Sequence, residues 1–264
     1  MNLLKIAYHS ERGRRENNED MYGVPQRFVK RLPDERGFVI QPRSNRIYAQ
    51  KGYLFLLADG VGGYQGGELA SQAVIEEVAA RYYQDPSPDL MTSLQRVIEA
   101  ANRQLRRQRL CPEQPARMST TLVAAAIQQR HLFIASVGDS RVYHIQDKQA
   151  TLLTSDHSWV QTQVNQGQLT VAEAAASSQK HRITRCLGTQ DQVGVDTWHF
   201  ELAPKERLLL CSDGISGHLD EPAIARLARQ SDLQQAVNGL IDTAYDNNSA
   251  DNMSAVLIEM NNEQ

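Results

Sequence analysis

A chain of 264 residues with 31 acidic and 28 basic side chains has a formal net charge of −3, which excludes the strongly basic footprint of a nucleic-acid binder. The length allows a sizeable buried core and no linker-like stretch divides it, so one domain over 1–264 is expected. Cys111, Cys186 and Cys211 form no CxxC pair and are odd in number, which argues against a disulfide framework and for a reducing cytoplasm. No apolar run approaches the ~18 residues of a bilayer span, and MNLLKIAYHSERGRRENNED lacks the apolar stretch of a signal peptide.

In chain order, Leu3–Tyr8 reads as a strand, Ser10–Asp20 (SERGRRENNED) as a polar loop and Met21–Val24 as a second strand. Between Pro25 and Lys51 the signal is poor. GFVI at 37–40 and RIYA at 46–49 read as a hairpin over the turn-like Pro42–Asn45, either a solvated surface insertion or a partner-binding hairpin. Leu54–Ala58 is a continuously apolar run, the mark of a buried strand. It ends on Asp59, and glycines follow at 60, 62, 63, 66 and 67.

Ala70, Val74 and Val78 recur at a spacing of four and predict a helix over 67–83, broken by DPSPD at 85–89. A second helix carries Leu94, Val97, Ile98, Ala101 and Leu105 on one face. Arg103, Arg106, Arg107 and Arg109 form the other, a solvated face or a recognition surface. The period then changes. Residues 120–127, 131–137 and 141–145 are short β-like runs at hairpin spacing, with Leu152 and Leu153 in a fourth.

Residues 155–182 are polar with helical pieces, and Thr170 with Glu173 makes a capping-box pattern. Strands are expected at 193–200 and 207–211, helices at 221–229 and 232–245, and a last strand at 253–260. This order lacks strict strand–helix alternation. The fold class expected is α+β, with stacked antiparallel sheets flanked by helices rather than a doubly wound parallel sheet.

Three apolar runs abut a carboxylate: Leu54–Ala58 ends at Asp59, Leu208–Cys211 leads through Ser212 to Asp213, and Asp251 precedes the last strand. Buried carboxylates are costly unless a positive charge meets them, and a hard cation such as Mg²⁺ or Mn²⁺ favours oxygen ligands. The rival reading, a phosphate-cradling glycine loop, needs a third glycine where Gln65 stands, and no Gly-Lys-Ser/Thr is present. Asp20 lies beside Glu19 in a charged run. Asp139, in SVGDSRVY, is equally an ordinary hairpin turn and a ligand. Four carboxylates would be neutralised by two divalent ions, a pair that can clamp a phosphate ester and acidify water. Arg14 and Arg15 offer a guanidinium fork for phosphate, or are simply solvated.

Taken together, GRRENNED (13–20), ADGVGGYQGGELAS (58–71), MSTTL (118–122), SVGDSRVY (136–143), LTSDHSWV (153–160), ITRCLG (183–188), LLLCSDGI (208–215) and ADNMSAVLI (250–258) resemble the metal-dependent Ser/Thr protein phosphatases of the PP2C (PPM) family in bacterial form. The resemblance implies an αββα sandwich, with 155–182 as a flap beside the site. It implies two tight Mn²⁺ or Mg²⁺ ions. Asp59 would bridge them, the Gly60 carbonyl would complete one site, and Asp213 and Asp251 would hold the other ion. Asp20 would act through water, Asp139 with Asp213 would hold a third, weaker ion, and Arg15 would bind phosphate.

The implied reaction is hydrolysis of phosphoserine or phosphothreonine by a metal-bridging hydroxide, in a monomer acting on phosphoproteins such as a partner Ser/Thr kinase and its targets. Two positions depart from the pattern: Val61 stands where animal members carry a histidine, and Ser119 where glycine is usual. The competing class is a non-catalytic phosphoprotein-binding module on the same fold, against which the full carboxylate set argues.

Overall fold

The structure is a computed structural model that describes residues 4–261 except 30–31, 43, 45, 62–64, 112–114 and 116. Part of the glycine-rich loop, and part of the turn expected over 42–45, therefore lie outside the described residues. The chain begins with β1 (Leu4–Glu11), β2 (Met21–Pro25), β3 (Gly37–Ile40) and a short helix α1 (Ile47–Lys51). β4 (Tyr53–Ala58) and β5 (Gly60–Val61) lead into α2 (Gln65–Tyr82) and α3 (Leu90–Arg109). Next come β6 (Ser119–Thr120), β7 (Leu122–Gln128), β8 (His131–Val137), β9 (Arg141–Gln146) and β10 (Gln149–Leu152). The excursion holds α4 (Trp159–Asn165) and α5 (Val171–Ala176). After it come β11 (Asp196–Glu201), β12 (Arg207–Cys211), α6 (Asp213–Ser216), α7 (Glu221–Ala228), α8 (Leu233–Asp246) and β13 (Met253–Met260).

Two sheets carry the fold, one in the order β1-β13-β12-β9-β10 and the other β11-β8-β7-β4-β2-β3. The apolar runs are continuous because each central strand is covered on both faces. In β4, Phe55 and Leu57 enter the core between the sheets, while Leu54, Leu56 and Ala58 pack under α2 and α3. In β13, Val256 and Ile258 face the inter-sheet core, and Ala255 and Leu257 face the layer of α7 and α8. The period of two in side-chain direction thus yields a four-layer αββα sandwich, as the resemblance implied.

The segment 25–51 corrects one expectation. GFVI does form a strand, but β3 pairs in parallel with β2, Tyr22 opposite Gly37. The RIYA stretch supplies helix α1 rather than a hairpin partner. Its Tyr48 is buried against Tyr53 and Tyr83, with ring centroids 4.7 and 5.7 Å away. Gly52, at φ +70°, ends the helix; a β-carbon there would collide with the Ile127 carbonyl, so the turn into β4 requires glycine. Arg36 ties the segment inward, donating from Nε to the Asp20 carbonyl (2.7 Å) and from Nη1 to Glu68 Oε1 (2.9 Å).

Candidate functional site

β4 delivers Asp59 to the edge of the sandwich, and its backbone is clamped there. Asp59 N–H donates to Thr121 Oγ1 (3.0 Å), and its carbonyl accepts from Thr121 N–H (2.8 Å) and Thr120 Oγ1 (2.7 Å). This is the role of the MSTTL motif: β6 pairs with β5, and Ser119 Oγ donates to the Val61 carbonyl at 2.8 Å. Gly60 donates its N–H to the Glu19 carbonyl (3.2 Å), and a β-carbon on it would strike the carbonyls of Gly67 and Glu19. The glycine serves close backbone approach beside Asp59.

The other carboxylates arrive from both sheets. Asp20 is fully buried at the entry to β2; Ser212 Oγ donates to its Oδ2 at 2.7 Å, while Oδ1 has no partner. Burial pushes its pKa up to about 7, the Asp251 and Asp213 charges add to the rise, and the Ser212 hydroxyl opposes it. Burial also raises Asp59 well above the usual carboxylate range, reinforced by Asp20, Asp213, Asp139 and Asp251. Asp139 is raised by burial and then by Asp213 and Asp156, and its Oδ1 is likewise unpartnered. Asp213 opens α6 and lies 3.5 Å from His181 Nδ1. Asp251 accepts from Arg15 Nη2 at 2.8 Å and from Asn252 N–H at 2.9 Å.

Asp59, Gly60, Asp213, Asp251 and Arg15 line one cleft of about 860 Å³, together with His181 and Arg14. Asp20 lies behind this cleft, and Asp139 reaches an adjoining cavity. Among the described residues, no three His, Cys, Asp or Glu side chains converge tightly enough to form a finished ion cage. The donor set nonetheless fits hard cations. Oxygen ligands predominate, two buried carboxylate oxygens are orphaned, and neighbouring carboxylate charges add to the raised pKa values of Asp20, Asp59 and Asp139, a balance that divalent charge would relieve.

Several residues that position the site carry no chemical signature in the sequence. Asn252 accepts Glu19 N–H (2.8 Å) and donates to the carbonyls of Arg12 and Asn17 (2.8 and 2.9 Å), fixing the loop that holds Arg15 and Asp20. Its adjacency to Asp251 is the one available hint. His157 accepts Gly138 N–H on Nδ1 at 2.9 Å, so Nε2 carries the proton towards Asp196 Oδ2 at 3.0 Å. Burial lowers the His157 pKa, which favours this neutral tautomer, and the ring ties the segment after β10 to the loop of Asp139. Arg14, read as solvated or phosphate-binding, lies over the Tyr245 ring at 4.9 Å.

The protein phosphatase 2C family profile matches residues 44–259. The chain is 32% identical over 226 residues to the serine/threonine protein phosphatase PstP of Mycobacterium tuberculosis, covering 86% of this chain and 44% of that protein. It therefore spans less than half the length of that relative. Identity to the serine/threonine phosphatase stp of Listeria innocua is 28% over 264 residues, covering 98% of this chain and 96% of that protein. The crystal structure of the catalytic domain of PstP in complex with two manganese ions superposes with a TM-score of 0.77 at 29% identity, covering 98% of this chain and 99% of the other. With the sandwich, the carboxylate-lined cleft and these matches in agreement, the chain belongs to the protein phosphatase 2C family.

Proposed function

We propose that the protein is a metal-dependent phosphatase that hydrolyses phosphoserine and phosphothreonine in proteins. The observation that carries this reading is the convergence of Asp59, Asp213 and Asp251 with Arg15 at one cleft, from strand ends far apart in sequence. Divalent ions, Mn²⁺ or Mg²⁺, would supply charge to the phosphoryl oxygens and acidify an attacking water. Asp59 and the Gly60 carbonyl are the groups to hold one ion, Asp59, Asp213 and Asp251 the other, with Asp20 acting through water. Asp139 and Asp213 would hold a weaker third.

Arg15 has a double part. It now neutralises Asp251, and that carboxylate cannot serve both an arginine and an ion fully. Loading the centre would release the guanidinium fork to the substrate's phosphoryl oxygens. With Val61 beside the centre in place of a histidine, leaving-group protonation falls to water or to another group. One domain over 1–264, with 155–182 as its flap, completes the reading, as does a cytoplasmic monomer acting on a Ser/Thr kinase and that kinase's targets.

Incubation with p-nitrophenyl phosphate and then a phosphothreonine peptide, across a Mn²⁺ titration, is the test. Metal-dependent release of product is expected. A folded protein that binds the phosphopeptide without turning it over would favour the non-catalytic module.

A further inference from the structure

Beside the metal centre, under the flap, lies a second cavity of about 390 Å³ that shares His181 and Asp213 with the cleft. Its flap wall is aliphatic, built from Val160 and Val164 of α4 and Val171 and Ala174 of α5. Val171 is 75% exposed, a β-branched side chain left in water at the first turn of its helix. Much of the remaining lining is acidic. Asp220 and Glu221 stand at the start of α7, and Asp139 closes the inner end with an unpartnered Oδ1. Five carboxylates line the space against the two cations Arg141 and Lys180. Arg141 is already committed: it donates to both oxygens of Asp156 and to the Tyr143 hydroxyl.

We propose that this cavity is a subsite for a lysine or arginine side chain of the phosphoprotein, near the phosphoresidue in its sequence. The proposal rests on the phosphatase reading above and names a feature of its substrates. An all-apolar side chain would desolvate carboxylates without pairing them, and an acidic one would be repelled. A long aliphatic stem with a cationic head satisfies both parts of the lining, the stem along Val160, Val164 and Val171 and the head at Asp220 and Glu221. Neither carboxylate belongs to the Asp139–Asp213 pair, so an ion held by that pair leaves them available. Continuity through Asp213 and His181 makes the occupant part of the same substrate molecule.

The test uses the Mn²⁺-loaded protein and a set of phosphothreonine peptides in which one position at a time is Ala, Lys or Glu. Nitrophenyl phosphate, which carries no flanking residue, is the reference. At one or two positions Lys should raise kcat/KM about fivefold over Ala, the sum of two partly exposed ion pairs and a packed stem, and Glu should lower it. The gain should reside in KM, because the contact is the same in ground and transition states.

In the double variant Asp220→Asn, Glu221→Gln the Lys-over-Ala ratio should fall below twofold. Asn at 220 retains the cap that Asp220 gives Ala223 N–H. Val171→Ser, at an exposed position, should lose part of the ratio through the stem alone. A profile indifferent to Lys, Ala and Glu while nitrophenyl phosphate is turned over would overturn the subsite, as would a Lys preference that survives the double variant. Failure of the wild type to hydrolyse nitrophenyl phosphate would instead refute the phosphatase reading, and the subsite with it.

Discussion

Replacing Asp20 with Asn should stabilise the metal-free protein while impairing the metal centre proposed above. Asp20 is fully buried, and its pKa rises from 3.8 to about 7. The sign follows from linkage. A carboxyl whose folded pKa lies above its unfolded value favours folding in its protonated form, and that contribution is lost as pH rises from the unfolded to the folded pKa. That rise corresponds to about 4 kcal/mol at pH 8, at ~1.4 kcal/mol per factor of ten in proton affinity. At pH 5 only about a third of that penalty has accrued.

Asn removes the charge, and its amide can keep the Ser212 hydroxyl as a partner, though a new buried N–H donor costs about 1–3 kcal/mol if unmet. A net gain of about 1–3 kcal/mol at pH 8 is expected, or ~2–10 °C in Tm for a chain of this size. The assay is thermal unfolding in EDTA at pH 5 and pH 8, repeated with Mn²⁺. The gain should be larger at pH 8 than at pH 5, and Mn²⁺ should stabilise the wild type more than the variant. A variant less stable than wild type at pH 8 in EDTA, or a gain independent of pH, would show that Asp20 imposes no buried-charge penalty on the fold.

Three further outcomes are expected. Arg15→Ala should lower kcat/KM on a phosphothreonine peptide by about 10-fold, the low end for a lost charge-assisted contact because the side chain is 56% exposed. Arg14→Ala, which loses its packing on Tyr245, should cost only a few-fold, and equal losses in the two variants would remove Arg15 from the phosphate site. Asp213→Asn should nearly abolish turnover in a folded protein, whereas Asp139→Ala should slow turnover with two ions still bound by calorimetry; loss of both ions in the second variant would contradict the third-site assignment. Asn252→Ala should remove the three hydrogen bonds its side chain makes to Glu19, Arg12 and Asn17, lowering Tm and raising the Mn²⁺ concentration needed for half-maximal rate. A metal requirement unchanged in that variant would show that the loop holds its position without Asn252.

The strands were legible because burial on both faces leaves an uninterrupted apolar signature, as in Leu54–Ala58 and Leu208–Cys211. Helix α5 was legible from its cap, and Thr170 and Glu173 do form the reciprocal box. Asp59, Asp213 and Asp251 were visible because each interrupts an apolar run, and the structure brings all three to one cleft. Asp20 was harder to read. Its run is as polar as any solvated loop, and its burial depends on Ser212, which lies 192 residues away. The pairing of β3 with β2 was hidden for the same reason, since a parallel neighbour leaves no turn to read. Arg14 looked free because its aromatic partner, Tyr245, belongs to the far end of the chain.

The first and last strands are direct neighbours, with Leu4 opposite Met260 and Glu11 opposite Met253. On a ribosome this order matters. Asp20, Asp59 and Asp139 emerge long before Asp213 and Asp251, and β1 has no sheet partner until β13 follows. The nascent chain therefore holds three of the five carboxylates of the proposed metal centre, with β1 waiting as an unpaired edge, the kind of exposed strand that invites intermolecular pairing. Closing the sheet with β13 and delivering Asp251 to the cleft go together, because Asp251 immediately precedes that strand. A product lacking β13 lacks the sheet partner of β1 and, if truncated before Asp251, a carboxylate of the cleft as well.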